Sequence, residues 1–194
     1  MKTIITLLFS TLLFLNVGYA QNGPDQIQQM LNERDAEIKE LLGPKGNDYT
    51  QEQRDRLKNI INDVIDFRSM SETALGDTYT EISEEKREEF VSLFSTIIRD
   101  NSLNRLDIYR AEVTYNDITV NNGTAEVKTM AQMDNVRTSV DYDMELQSGE
   151  WQITDMSIDD VSTAESYRRQ FQSIIRQRGF DALLESLRRR AARA

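Results

Sequence analysis

The feature that most constrains this chain is a change of hydrophobic period near residue 105. Upstream, apolar residues recur every three or four positions; downstream, as far as Ile158, they recur every second position. A helix returns to the same face after 3.6 residues and a strand after two, so the chain must build both elements, in separate blocks. The order is helices, then strands, then helices again. That order predicts an α+β domain rather than alternating βαβ units.

The helical blocks carry their own start and stop signals. Ile27, Met30, Leu31, Ile38, Leu41 and Leu42 share a stripe, with Pro24 at its start and Gly43-Pro44 at its end. Thr50-x-x-Gln53 reads as a capping box opening a second helix, striped by Leu57, Ile60, Ile61, Val64 and Ile65. From Asp66 to Thr80 the pattern breaks, and a short helical turn through Met70 and Leu75 is expected to stop at Gly76. Ser83 then caps a long helix, with Glu84 and Glu85 in its positive first turn and Phe90, Val91, Phe94, Ile97 and Ile98 on one side. Near the end, Ser162 and Glu165 read as another capping box ahead of Tyr167, Phe171, Ile174 and Ile175. Gly179 punctuates that helix, and Phe180, Leu183, Leu184 and Leu187 begin a last stripe.

Between these blocks the alternation predicts an antiparallel meander of about four strands. Tyr109, Ala111, Val113 and Tyr115 alternate with polar residues, and Asn122-Gly123 is a hairpin signal ahead of Ala125, Val127, Ala131 and Met133. After a turn at Asp134-Asn135, Val140, Tyr142, Met144 and Leu146 alternate with Ser139, Asp141, Asp143 and Glu145. Ser148-Gly149 turns the chain into Trp151 and Ile153; Met156 and Ile158 then fall on the other parity, which predicts a bulge near Thr154-Asp155. Such a sheet has one wet and one apolar face, and the helices must cover the apolar one.

Residues 1–20 read as a secretory signal peptide rather than part of the fold: Lys2, an apolar stretch from Ile4 to Leu15, and Gly18-Tyr19-Ala20 ahead of Gln21. Residues 21–194 are then expected to form one exported, unanchored domain, a monomer, with a basic tail from about residue 188. The chain has no His and no Cys, which rules out a Ser-His-Asp triad, a Cys nucleophile, a disulfide framework and imidazole or thiolate metal ligation. Carboxylates are plentiful, but pairs such as Asp159-Asp160 or Glu84-Glu85 have no catalytic spacing, and parity places Asp141, Asp143 and Glu145 outward. No catalytic residue, metal or cofactor is therefore expected. Residues 168–194 hold eight arginines against Asp181 and Glu185, whereas the whole chain carries a formal charge of −10. The acidic body disfavours nucleic acid and anionic bilayers. The basic end suits either an anionic partner or a helix terminus whose cations complement its dipole.

Taken together, Asp66-Phe67-x-x-Met70 with Leu75-Gly76, the Ser83 helix, the Gly149-x-Trp151 turn and Tyr167-Arg168-x-Gln170-Phe171 resemble, in order, the periplasmic phospholipid-binding component of the Mla lipid-transport system, the toluene-tolerance family. The resemblance runs from about Asp25 to Leu187. It implies an NTF2-like cone, a curved sheet wrapped by helices with an internal apolar pocket. It also implies a non-enzymatic carrier whose transported ligand is a phospholipid. Its partners would be an outer-membrane lipoprotein/porin complex and an inner-membrane ABC transporter complex with an MCE-type subunit, in the upkeep of outer-membrane lipid asymmetry. On that reading the acyl chains are expected against Phe67, Met70, Leu75, Phe90, Phe94, Ile97, Ile98, Val140, Tyr142, Met144, Trp151, Ile153, Tyr167, Phe171, Ile174 and Ile175, with Arg168 and Arg169 toward the head group or a partner. For each apolar residue the competing reading is ordinary core, and for the whole chain it is an exported interaction module or chaperone with a filled core.

Overall fold

The computed structural model describes residues 23–46, 48–104 and 106–193. The stretch read as a signal peptide lies outside the described residues. Helix α1 (Pro24–Leu42) leads to α2 (Gln51–Asn62), α3 (Phe67–Leu75), the single turn α4 (Thr78–Glu81) and α5 (Glu84–Leu103). Strands β1 (Glu112–Asn121), β2 (Thr124–Met133), β3 (Val136–Gln147), β4 (Glu150–Ile158) and the two-residue β5 (Val161–Ser162) follow, then α6 (Thr163–Arg178) and α7 (Phe180–Ala191). The five strands form one antiparallel sheet in sequence order. The α+β expectation holds.

Local chemistry explains most boundaries. Thr50 and Gln53 form both halves of the capping box of α2, and Ser83 Oγ accepts from the Lys86 amide to start α5. Gly43 and Gly76, with φ of 53° and 54°, end α1 and α3 where an L side chain would be strained. Asn122-Gly123 and Ser148-Gly149 have positive φ at both positions, the backbone of a two-residue hairpin turn that matches strand twist. The bulge is where parity placed it: Asp143 pairs with Asp155 and Met144 with Ile153, leaving Thr154 as the extra residue.

Three expectations need correction. Tyr109 and Ala111 do not start the first strand, because Leu106–Arg110 is a 3₁₀ turn. Arg110 there donates to the carbonyls of Leu42 and Gly43 and to Tyr49 Oη, tying the turn to the end of α1. The sheet also gains β5, since Asp159 and Asp160 (φ 47° and 62°) turn the chain without a glycine. Finally, the box predicted at Ser162 is only half formed. Ser162 Oγ accepts from the Glu165 amide, but Glu165 turns to Arg168 at 3.0 Å. A different acceptor comes from the bulge, which aims Asp155 at the helix start: its carboxylate accepts from the Ala164 amide at 3.0 Å and Ser162 Oγ, and from its own neighbour, the Met156 amide, at 2.8 Å.

The linker after α2 joins the two halves of the molecule. Ile153 donates to the Val64 carbonyl at 2.7 Å and accepts from the Asp66 amide at 2.9 Å, so residues 64–66 cover part of the β4 edge that β5 leaves free. Ile65 consequently packs against both the helical core and the inner face of the sheet.

Candidate functional site

The sixteen expected lining residues do not share one surface. Met70, Leu75, Phe90, Phe94, Ile97, Ile98, Tyr167, Phe171, Ile174 and Ile175 belong to a cluster built by the helices. Tyr142, Met144, Trp151 and Ile153 belong to a second cluster on the inner face of the sheet, under α1. Phe67 is buried beneath the Arg99 guanidinium, 5.0 Å from its ring, and Val140 is half-buried on β3.

The helical cluster is packed ring against ring. Phe94 lies 4.9 Å from Tyr167, 5.6 Å from Phe90 and 5.6 Å from Phe171, with edge-to-face geometry toward Tyr167 and Phe171. Phe90 meets Phe171 at 5.5 Å and Phe180 at 6.3 Å. Spacing of i, i+4 on α5 and again on α6 sets these rings face to face, and neither Phe90 nor Phe94 has any exposure.

The sheet behaves differently. Helices reach it mainly along its outer parts, α1 against β1 and α3 and α6 against β4. Along the inner face of β3, exposure rises from 1% at Met144, through half-buried Tyr142 and Val140, to 65% at Val136. Across the sheet Tyr115, Ile118 and Val120 on β1 are also half-buried, and Ile158 beside Val140 is 44% exposed. The inner face is thus covered at Met144, Val127 and Thr129 and opens only toward Val136 and Ile158, unlike the closed aromatic cluster. Burial pushes the Tyr115 and Tyr109 hydroxyls up to about 12 and Tyr142 higher still, with Asp35 adding to the shift at Tyr115 and Tyr142. These phenols stay neutral, so Tyr115 and Tyr142 add hydroxyls but no charge to the face. On the opposite face, Asp143 and Glu145 are exposed; burial first, then Asp155, Glu126 and Asp141, raise the Asp143 carboxyl.

Tyr115, Ile118 and Val120 were absent from the expected lining. The signal was present in the alternation of β1, but the extra residue Asn116 shifts its parity and hides the run. Met30 and Leu31 of α1, which also pack against the sheet cluster, were legible as a helix stripe without a destination.

Two cavities border these clusters. One, of about 250 Å³, lies between α1 and the turn joining β3 to β4, where Met30, Arg34 and Trp151 meet. Trp151 Nε1 and Gln26 Oε1 are buried there without a hydrogen-bond partner among the described residues. The other, a cleft of about 660 Å³, runs between α2, the end of α5 and the end of α7, and Ile97 is the expected lining residue it includes. Arg168 is placed elsewhere: its guanidinium covers Gly76, where a Cβ would come within 2.8 Å of Nε, and pairs with Glu165. Arg169 is exposed and donates to Ser166 Oγ at 2.9 Å.

Comparison with known proteins agrees with this architecture. Among solved structures, seven chains match. One is the phospholipid-binding protein from Ralstonia solanacearum in complex with a phospholipid, at a TM-score of 0.71 and 20% identity, covering 86% of this chain and 95% of that one. At that identity the likeness is one of fold. No curated protein matches in sequence. Residues 33–189 match the family profile of the MlaC protein, a span that includes every residue from Phe67 to Ile175 discussed above. The chain therefore belongs to the MlaC protein family.

Proposed function

We propose that the protein is a periplasmic phospholipid carrier. It holds the acyl chains of a glycerophospholipid against the inner face of the sheet and shuttles the lipid between outer- and inner-membrane complexes. The observation that carries this reading is the inner face of β3, closed at Met144 and opening through half-buried Tyr142 and Val140 to Val136. Monomeric proteins rarely leave a contiguous apolar surface of this kind without a ligand or partner for it. Membership of the MlaC family and the phospholipid held by the Ralstonia protein of like fold support the same choice of ligand.

The energetics suit a shuttle. Burying two chains of about 16 carbons at about 0.8 kcal/mol per CH₂ is worth about 25 kcal/mol relative to water. Escape into the aqueous phase is negligible on that scale, so lipid must pass directly between apolar surfaces, where donor and acceptor terms nearly cancel. No reacting group is needed for such a transfer.

Mass spectrometry of an organic extract of the gently purified protein tests the reading, with one phospholipid per chain expected. A chain that carries none and takes none up from liposomes would instead be an interaction module, whose closed aromatic cluster already supplies its core.

A further inference from the structure

The arginines at the end of the chain have a destination that the carrier reading leaves unused. Helix α5 packs against α2 on one side and α7 on the other, and the cleft of about 660 Å³ lies over its last turns. Ile97 and Leu103 of α5 give the cleft an apolar floor. Arg54 reaches it from α2, and Arg189, Arg190 and Arg193 reach it from the end of α7. None of these residues belongs to the sheet cluster, so the cleft and the lipid-facing surface are built from different side chains.

The protein does not match these charges itself. Asp100, the one carboxylate among the described lining residues, is engaged by Lys58, and Glu185 takes Arg189 at 3.1 Å. Arg54 stands over the Tyr49 ring, 6.0 Å from its centre. Among the described residues Arg54, Arg190 and Arg193 have no carboxylate within ion-pair distance. The competing explanation is that these cations complement the ends of α5 and α7. Each helix end presents roughly half a negative charge, so the two together offset about one arginine. About two positive charges remain uncompensated in a chain whose formal charge is −10.

Shape and charge select the occupant. A flat anionic bilayer does not enter a concave cleft, and it repels a chain of this net charge. A single inorganic anion leaves the apolar floor and most of the volume unused. A peptide segment with carboxylates around an aliphatic side chain uses both, because guanidinium groups bind carboxylates through paired N–H donors and arginine is enriched where proteins meet. We propose that the cleft between α2, α5 and α7 docks an acidic segment of a partner protein, with an aliphatic side chain of that segment on Ile97 and Leu103. The acidic remainder of the chain repels the same segment, so attraction is confined to the basic end and orients the encounter.

Fluorescence anisotropy of the full chain with a labelled peptide, Asp-Glu-Leu-Asp-Glu-Leu-Asp-Glu, tests this. Arg190→Gln with Arg193→Gln is the informative variant, because both side chains are exposed and free of ion pairs. Arg176→Gln with Arg178→Gln removes the same charge from exposed positions on α6 outside the cleft. The first pair is expected to bind the peptide about five- to tenfold more weakly and the second to bind it unchanged. Added salt should weaken the wild type, amides in place of the acids should abolish binding, and serines in place of the leucines should weaken it. A wild type that does not bind the peptide overturns the proposal, and equal losses in the two variants reduce it to net charge. Undiminished binding of the serine peptide removes the floor from the site and refutes an anchored segment. Displacement of the peptide by phosphatidylglycerol vesicles assigns the arginines to a lipid surface instead. Sedimentation that shows dimers of the wild type, lost in the Arg190 and Arg193 variant, puts a second copy in the cleft and refutes a separate partner.

Discussion

Phe94→Ala separates a packed core from a cavity wall. Phe94 has no exposure and touches three rings at 4.9 to 5.6 Å. Burying a phenylalanine is worth about 1.5–3 kcal/mol, and each aromatic pair adds about 0.5–1.5 kcal/mol. Removing the ring and leaving its space unfilled should therefore cost about 4 kcal/mol, in the range of about 3–5 kcal/mol for such truncations. For a domain of this length that lowers Tm by about 8–16 °C. Urea denaturation followed by tryptophan fluorescence and circular dichroism gives the number directly. Val140→Glu on the sheet is the contrasting variant. Half-buried, its carboxylate can reach water, so the fold should lose less than about 1.5 kcal/mol while phospholipid uptake is abolished. A loss below about 1 kcal/mol for Phe94→Ala would refute the closed cluster. Full lipid loading by Val140→Glu would remove the sheet face from the site.

Three further outcomes follow from local geometry. Gly76→Ala should cost about 2 kcal/mol, because φ of 54° with ψ of −136° strains any L residue. Adding Arg168→Ala should restore little of this, since only the steric part involves Arg168; complete rescue in a double-mutant cycle would contradict the backbone argument. Asp155→Ala removes the acceptor for the Ala164 amide and the Ser162 hydroxyl at the start of α6 and for the Met156 amide in β4, and should cost about 2–3 kcal/mol, with faster amide exchange in the first turn of α6. Asp66 supplies a pH dependence. Burial pushes its carboxyl up, but the Ser69 hydroxyl and amide, Gln147 and the Arg68 amide together hold it below 3.8. Its contribution is therefore present above that unfolded value and is lost as pH falls through the lower folded one. Thermal melts of Asp66→Asn should show a deficit near neutral pH that narrows in acid, and a deficit that widens would reverse the assigned sign.

Much of the fold was legible because its signals are local. The limits of α1, the Thr50–Gln53 box, the glycine stops and the hairpin turns each depend on a few neighbouring residues and on backbone sterics. The bulge at Thr154 was legible too, since a parity shift is visible within one strand. The 3₁₀ turn at Leu106–Arg110 was not, because its cause is the distant end of α1. Ser162 was legible as the cap of α6, but the second acceptor there was not, because Asp155 reaches the helix start only after the bulge turns its side chain.

The candidate site divides along the same line. By itself the sequence determined which faces are apolar, that the chain mixes both periods in separate blocks, and that no imidazole or thiol chemistry is available. Apolar periodicity says that a residue must be covered, but not by what. Only the tertiary structure decided that Phe90, Phe94 and Phe171 cover one another, whereas Val140 is only half covered and Val136 stays 65% exposed. The terminal arginines followed the same rule. Charge could be counted along the chain, but Arg54 lies more than a hundred residues from Arg189, Arg190 and Arg193, and only folding brings their charges to one place.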